Sequence, residues 1–172
     1  MSMSLLALLP FPIAMAWAAA SDLLTMRISN ALVLALGLCF VLAALAANLS
    51  LVDFGLHLLA GLLVLVAGFA FFALRWIGGG DAKLAAATAL WLGLADGVLL
   101  RYLIYAGVLG GLLTLLLLGF RAFPLTPFIA RHAWIARLHD KKTGVPYGVA
   151  LALAGLLAFA GAPLFLRLYG IA

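Results

Sequence analysis

With 172 residues, 69% of them hydrophobic and only 9% charged, and a mean hydropathy of +1.33, the chain is too apolar for a soluble domain, where about a quarter of residues are charged. Its formal charge of +5 does not mark a nucleic-acid binder, because the basic residues lie in the connections between apolar runs, as orientation signals do in membrane proteins. The single cysteine, Cys39, sits inside an apolar run, which excludes an internal disulfide and a cysteine-rich metal centre.

Six apolar segments, 4–21, 31–50, 54–74, 81–97, 98–119 and 146–168, predict one domain over 1–172: an all-α polytopic membrane bundle of about six transmembrane helices. Helices are required because a lipid-exposed backbone must satisfy its own polar groups. No Lys or Arg occurs between Met1 and Leu9, so the first segment reads as a retained span rather than a cleaved signal. It closes on Asp22, within Ser21-Asp22-Leu23-Leu24-Thr25-Met26-Arg27-Ile28-Ser29-Asn30. The third segment gives a helix of about 31 Å, enough for the hydrocarbon core. It is followed by Gly78-Gly79-Gly80-Asp81-Ala82-Lys83. The fourth is short: Leu84 to Ala95 alone reaches about 18 Å, so its helix must start near Asp81, drawing that carboxylate to the membrane boundary. Asp96-Gly97 is the only break available before the fifth segment, in which the GxxxG spacing of Gly107 and Gly111 predicts close helix packing. The connection 120–145 carries Pro124, Pro127 and a basic stretch around Trp134, and fits either an interfacial amphipathic helix or an irregular loop.

Parity places Asp22, after span one, and Asp81, after span three, on the same face. That face also holds Arg27, Arg75, Lys83, Arg121, Arg131, Arg137, Lys141 and Lys142, against Arg101 and Arg167 opposite. The bias predicts a cytoplasmic location for both acids, with both termini outside. A carboxylate at the edge of a bilayer is expensive and marks function by default. A pair can hydrolyse a peptide bond, one taking a proton from water and the other protonating the carbonyl oxygen, because mutual repulsion keeps one of them protonated. The three glycines before Asp81 remove side chains and allow unusual backbone angles, so an extended substrate can approach. Helix dipoles predict Asp81, at a helix start, to be the more acidic, and Asp22, near a helix end, to hold the shared proton. The structural alternative is that each aspartate only caps a helix.

Gly78 to Leu84 resembles the GxGDxKL motif of type IV prepilin peptidases, the bacterial membrane aspartic proteases. Asp22 to Asn30 resembles that family's other aspartate motif, with Ser29 where Pro is usual, and Val145-Pro146-Tyr147-Gly148 resembles the signature opening its last helix. The resemblance implies cleavage of the basic leader of prepilins and pseudopilins at the cytoplasmic face of the inner membrane, without a cofactor or metal. It also implies Asp22 and Asp81 as the catalytic pair. Gly78, Gly79 and Gly80 shape the approach, and Asn30, Lys83, Pro146, Tyr147 and Gly148 support the site. The chain looks like the minimal, peptidase-only form of Flp (tight-adherence) systems, with no methyltransferase domain. Its expected partners are pilin precursors and lipid. A small ion- or proton-coupled transporter with the aspartates as ion sites is the alternative, and a structural subunit of a secretion machine is a third reading.

Elsewhere, Asp53 and Asp96 read as solvated loop residues, and His57 as a hydrogen-bonded packing residue. His132 and His139 are spaced outside the ordinary zinc pattern. Trp17, Trp76, Trp91 and Trp134 read as interfacial anchors, and Tyr147 as either a substrate contact or another such anchor.

Overall fold

A chain this apolar must close its hydrogen bonds within each segment, and the computed structural model, which describes residues 6–170, is helical throughout, with no strand among the described residues. The first part of the segment expected at 4–21 and both chain termini fall partly or wholly outside that range. Helix α1 spans Pro10–Thr25, α2 Asn30–Ala46, α3 Leu51–Ala73, α4 Gly79–Leu92 and α5 Val98–Ala122. Two short helices follow, α6 at Pro127–Ala130 and α7 at Ala133–His139, then α8 at Tyr147–Phe159 and α9 at Pro163–Tyr169.

Among the described residues, two helices are long and apolar enough to cross a membrane: α3, and α5 together with the 3₁₀ turn before it (Ala95–Ala122). A third span is possible if α8 and α9, bent by 51° about Gly161-Ala162-Pro163, act as one. The expectation of about six spans is therefore met only in part. The other apolar segments are helical but fold short. In α1 the polar residues Ser21, Asp22 and Thr25 fall in the last turns, and in α4 Gly79, Gly80, Asp81 and Lys83 fall at the start. The last segment is broken by Pro163, which has no N–H to continue a ladder.

The core is built around α4 and α8. Helix α4 packs most extensively on α3, α8 packs on α5, α1 and α4, and α2 leans on α4. Both central helices are rich in buried alanine: Ala82, Ala86, Ala87 and Ala89 in α4, and Ala150, Ala152, Ala154 and Ala158 in α8. Small residues let backbones approach where no hydrophobic force drives helices together. Glycine completes the fit: a Cβ on Gly68 would lie 2.9 Å from that of Ala82, and one on Gly155 would lie 3.0 Å from the Thr88 methyl. Gly107 and Gly111 have nothing within 4 Å. The expected GxxxG contact is thus absent among the described residues, and α5 uses Gly110 instead, under the ring of Tyr147.

An aromatic cluster fills the middle, with the ring centroids of Phe11 and Phe159 4.2 Å apart and those of Phe11 and Trp91 5.4 Å apart. Trp91 is fully buried and its Nε1 donates to the Leu36 carbonyl at 3.0 Å, so it is a core residue and not an interfacial anchor. Trp17 and Trp76 are exposed, as expected. His57 is buried with Nδ1 2.8 Å from the Leu90 carbonyl, the packing role expected of it. Asp53 is not merely solvated, since it pairs with Arg167 at 2.8 Å. Part of the connection 120–145 is helical, beginning with the last turn of α5, which ends at Ala122. The connection then forms α6 and α7, tied down by Arg121, whose Nε donates to Leu138 at 2.7 Å and whose Nη2 donates to Thr143 and Gly144 at 2.9 Å.

Candidate active site

One end of the bundle collects the C-terminus of α1, the N-termini of α2, α4 and α8, and the connection 123–146. Asp22 reaches it by helical periodicity. Phe11, Ala14, Met15, Ala18 and Asp22 are the buried positions of α1, three or four residues apart, so they form one stripe turned into the bundle. After Asp22 the helix stops at Met26, which takes the left-handed conformation at φ 55° and donates its N–H to the Asp22 carbonyl at 2.8 Å. Ser21 Oγ donates to the Arg27 carbonyl at 2.8 Å, folding the chain back toward α2. Ser29 then caps α2, accepting from the Leu32 N–H at 3.2 Å. Ser29 thus starts α2 by its side chain, in the position where Pro is usual in the resembling motif.

Asp81 arrives on the first turn of α4, and Asp22 and Asp81 line one open cavity of about 550 Å³. Ser21, Arg27, Ile28, Ser29 and Asn30 contribute to the same wall space, as do Gly78, Gly79 and Gly80. Each carboxylate spends one oxygen on a backbone amide. Asp22 Oδ2 accepts from Gly148 N–H at 2.7 Å, and Asp81 Oδ2 from Gly78 N–H at 3.2 Å. The other oxygen of each has no protein partner among the described residues. Capping, the structural alternative for Asp81, is therefore real, but it engages only half of the carboxylate.

The contrast in helix ends expected from the sequence does not survive folding. Gly148 lies in the first turn of α8, so Asp22, although near the end of its own helix, docks on the positive end of another. A backbone N–H aimed at a carboxylate, together with that dipole, favours its charged form. Asp22 has the shorter of the two amide contacts, which removes the basis for assigning it the shared proton.

The glycines act through space rather than conformation. None of Gly78, Gly79 and Gly80 has a positive φ; among the described glycines only Gly93, Gly97 and Gly170 do. A Cβ on Gly78 would instead come within 2.8 Å of Asp81 Oδ2, and one on Gly80 within 3.3 Å of the Ile28 Cβ. Lys83 does not line the cavity: its Nζ donates to Asn30 Oδ1 at 2.9 Å, joining α4 to the start of α2. Pro146 is buried at the N-cap of α8. Tyr147 is half-buried, with its hydroxyl donating to the Ala106 carbonyl at 3.1 Å. It anchors α8 to α5. Sequence reasoning passed over Ile28, which packs beneath the cavity between Gly80 and Gly148. Its only trace in the sequence is an apolar residue within a polar turn.

Beyond this geometry, a sequence model described as the type IV leader peptidase family matches residues 9–115, a stretch that holds both aspartates and more than half of the chain. No curated protein and no solved structure matches. On the family match, which agrees with the resemblance read from the motifs, the chain belongs to the type IV leader peptidase family.

Proposed function

We propose that the protein is a membrane aspartic endopeptidase that removes the basic leader from prepilins and pseudopilins at the cytoplasmic face of the inner membrane. The observation that carries this reading is that Asp22 and Asp81, each with a free oxygen, line one cavity open to solvent. A water held between them gives a proton to the ionised carboxylate while its oxygen attacks the peptide carbonyl. The protonated partner donates to the carbonyl oxygen, forming a gem-diol. Collapse of the gem-diol returns a proton to the departing amine, leaving a free acid and a free amine with no bond to the enzyme. The basic end of the bundle faces the cytoplasm, in keeping with its excess of Lys and Arg. The leader's own positive charge is met by anionic lipid, since Arg27 stands exposed on the cavity rim. Lys83 and Asn30 hold the mouths of α4 and α2 together, and Pro146, Tyr147 and Gly148 fix the start of α8.

The test is cleavage of a pilin precursor by protein purified in detergent. Asp22→Asn and Asp81→Asn should each lower the rate by at least about a thousandfold, with helical content unchanged by circular dichroism. Processing by both variants at near the parent rate would rule out the dyad.

A further inference from the structure

An open apolar groove runs between α1 and α2, with Pro10, Ile13 and Trp17 on one side and Ala31, Ala35 and Cys39 on the other, enclosing about 480 Å³. Ser29 borders both this groove and the aspartate cavity. We infer that the groove between α1 and α2 seats the apolar helix of the substrate that follows the cut bond. The inference rests on the leader-peptidase reading and adds the surface on which the substrate's membrane segment lies.

A bond cut beside an apolar helix must reach an aqueous carboxyl pair while the helix stays in hydrocarbon. Only a surface that opens to lipid and ends at the pair meets both demands. The walls suit a helix: Ala31 and Ala35 are small and exposed, letting a branched side chain settle close to the α2 backbone. Ile13 and Trp17, 64% and 65% exposed, form the opposing ridge on α1, while Phe11, Met15 and Ala18 on its other face are fully buried. A second groove, beside α2 and α3 around Val33, Gly37 and Leu58, has no residue in common with the aspartate cavity. Lys83, which lines that groove, bonds Asn30 at its polar end.

The geometry also sets a register. Helix α2 starts at the cavity and runs away from it, as the substrate helix would. Ser29 and Cys39 are separated by about 15 Å of helix rise, so a residue about ten positions past the cut lies level with Cys39. Because Cys39 is the chain's only cysteine, it is a built-in probe.

The experiment uses the full chain in lipid nanodiscs with a cysteine-free pilin precursor carrying one cysteine at successive positions past the cut. The Asp81→Asn background keeps the precursor intact. Disulfide cross-linking should peak about ten positions past the cut, with a helical repeat, and vanish in Cys39→Ser. In the otherwise unmodified protein, Ala35→Trp should raise KM at least about tenfold, while Leu58→Trp in the other groove leaves it unchanged. Normal cleavage of the precursor by the unmodified protein, without a cross-link above the Cys39→Ser background or with no effect of Ala35→Trp, overturns the inference and leaves the groove to lipid chains. Failure of the unmodified protein to cut any precursor instead brings down the leader-peptidase reading, and this inference with it.

Discussion

Replacing Gly148 by Ala tests the site through a residue that takes no part in the chemistry. The added Cβ would lie 2.7 Å from Ile28 Cδ1, 2.8 Å from Asp22 Oδ2 and 3.1 Å from Asp22 Cβ. Non-bonded carbon contacts settle at about 3.5–4.0 Å, so Asp22 or the start of α8 must retreat by roughly 1 Å. A displacement of that size at a reacting group costs about a hundredfold in rate. The 2.7 Å amide contact to Asp22 is stretched by the same movement. Hydrogen bonds to charged groups contribute about 1.5–3 kcal/mol, or roughly ten- to a hundredfold, so the two routes agree. Precursor cleavage should therefore show kcat reduced by about a hundredfold, with KM within about twofold of the parent because the apolar groove is untouched. Gly37→Ala is the matched control, since nothing lies within 4 Å of the added atom. If Gly148→Ala cleaves within threefold of the parent, Asp22 is not held for catalysis by this amide.

The double variant Asp22→Asn with Asp81→Asn should be no slower than either single one, because the acids act as a unit, and single-turnover cleavage would show it. Gly68→Ala should destabilise the bundle by about 1–3 kcal/mol through forced separation of α3 and α4, read as a lower unfolding midpoint in detergent; an unchanged midpoint would contradict the close approach. Tyr147→Phe should cost only about 0.5–1.5 kcal/mol of stability and leave kcat unaltered, and a large fall in kcat would give the hydroxyl a role in the reaction. Arg121→Met removes donors to Leu138, Thr143 and Gly144, so the segment 123–146 should become the first site of limited proteolysis.

What could be read from the sequence was whatever depends on residue type and spacing along one segment. Asp22 and Asp81 stood out because charge is scarce in apolar segments, and the short fourth segment required its helix to start near Asp81. The break at Asp96-Gly97 was also legible, and both residues do adopt positive φ, at 54° and 66°. What depends on a second segment was not legible. Trp91 reads as an anchor from its place near a segment end, yet it is buried because α2 offers it the Leu36 carbonyl. The seat of the Tyr147 ring over Gly110 was not legible either. The helix-dipole argument for Asp22 failed for the same reason, since its amide partner belongs to α8. Span counting was confirmed only in part, because mean hydropathy does not register that a polar residue or a proline shortens the helix inside an apolar run.

Asp22 is encoded early, but the amide that holds it belongs to Gly148, near the end of the chain. During synthesis the first four helices, which carry both acids, can enter the membrane without that support. On the proposed function, proteolytic competence would then arrive only when α8 docks, so a half-made chain would be harmless to its neighbours. On that reading, the order of assembly acts as a safety catch.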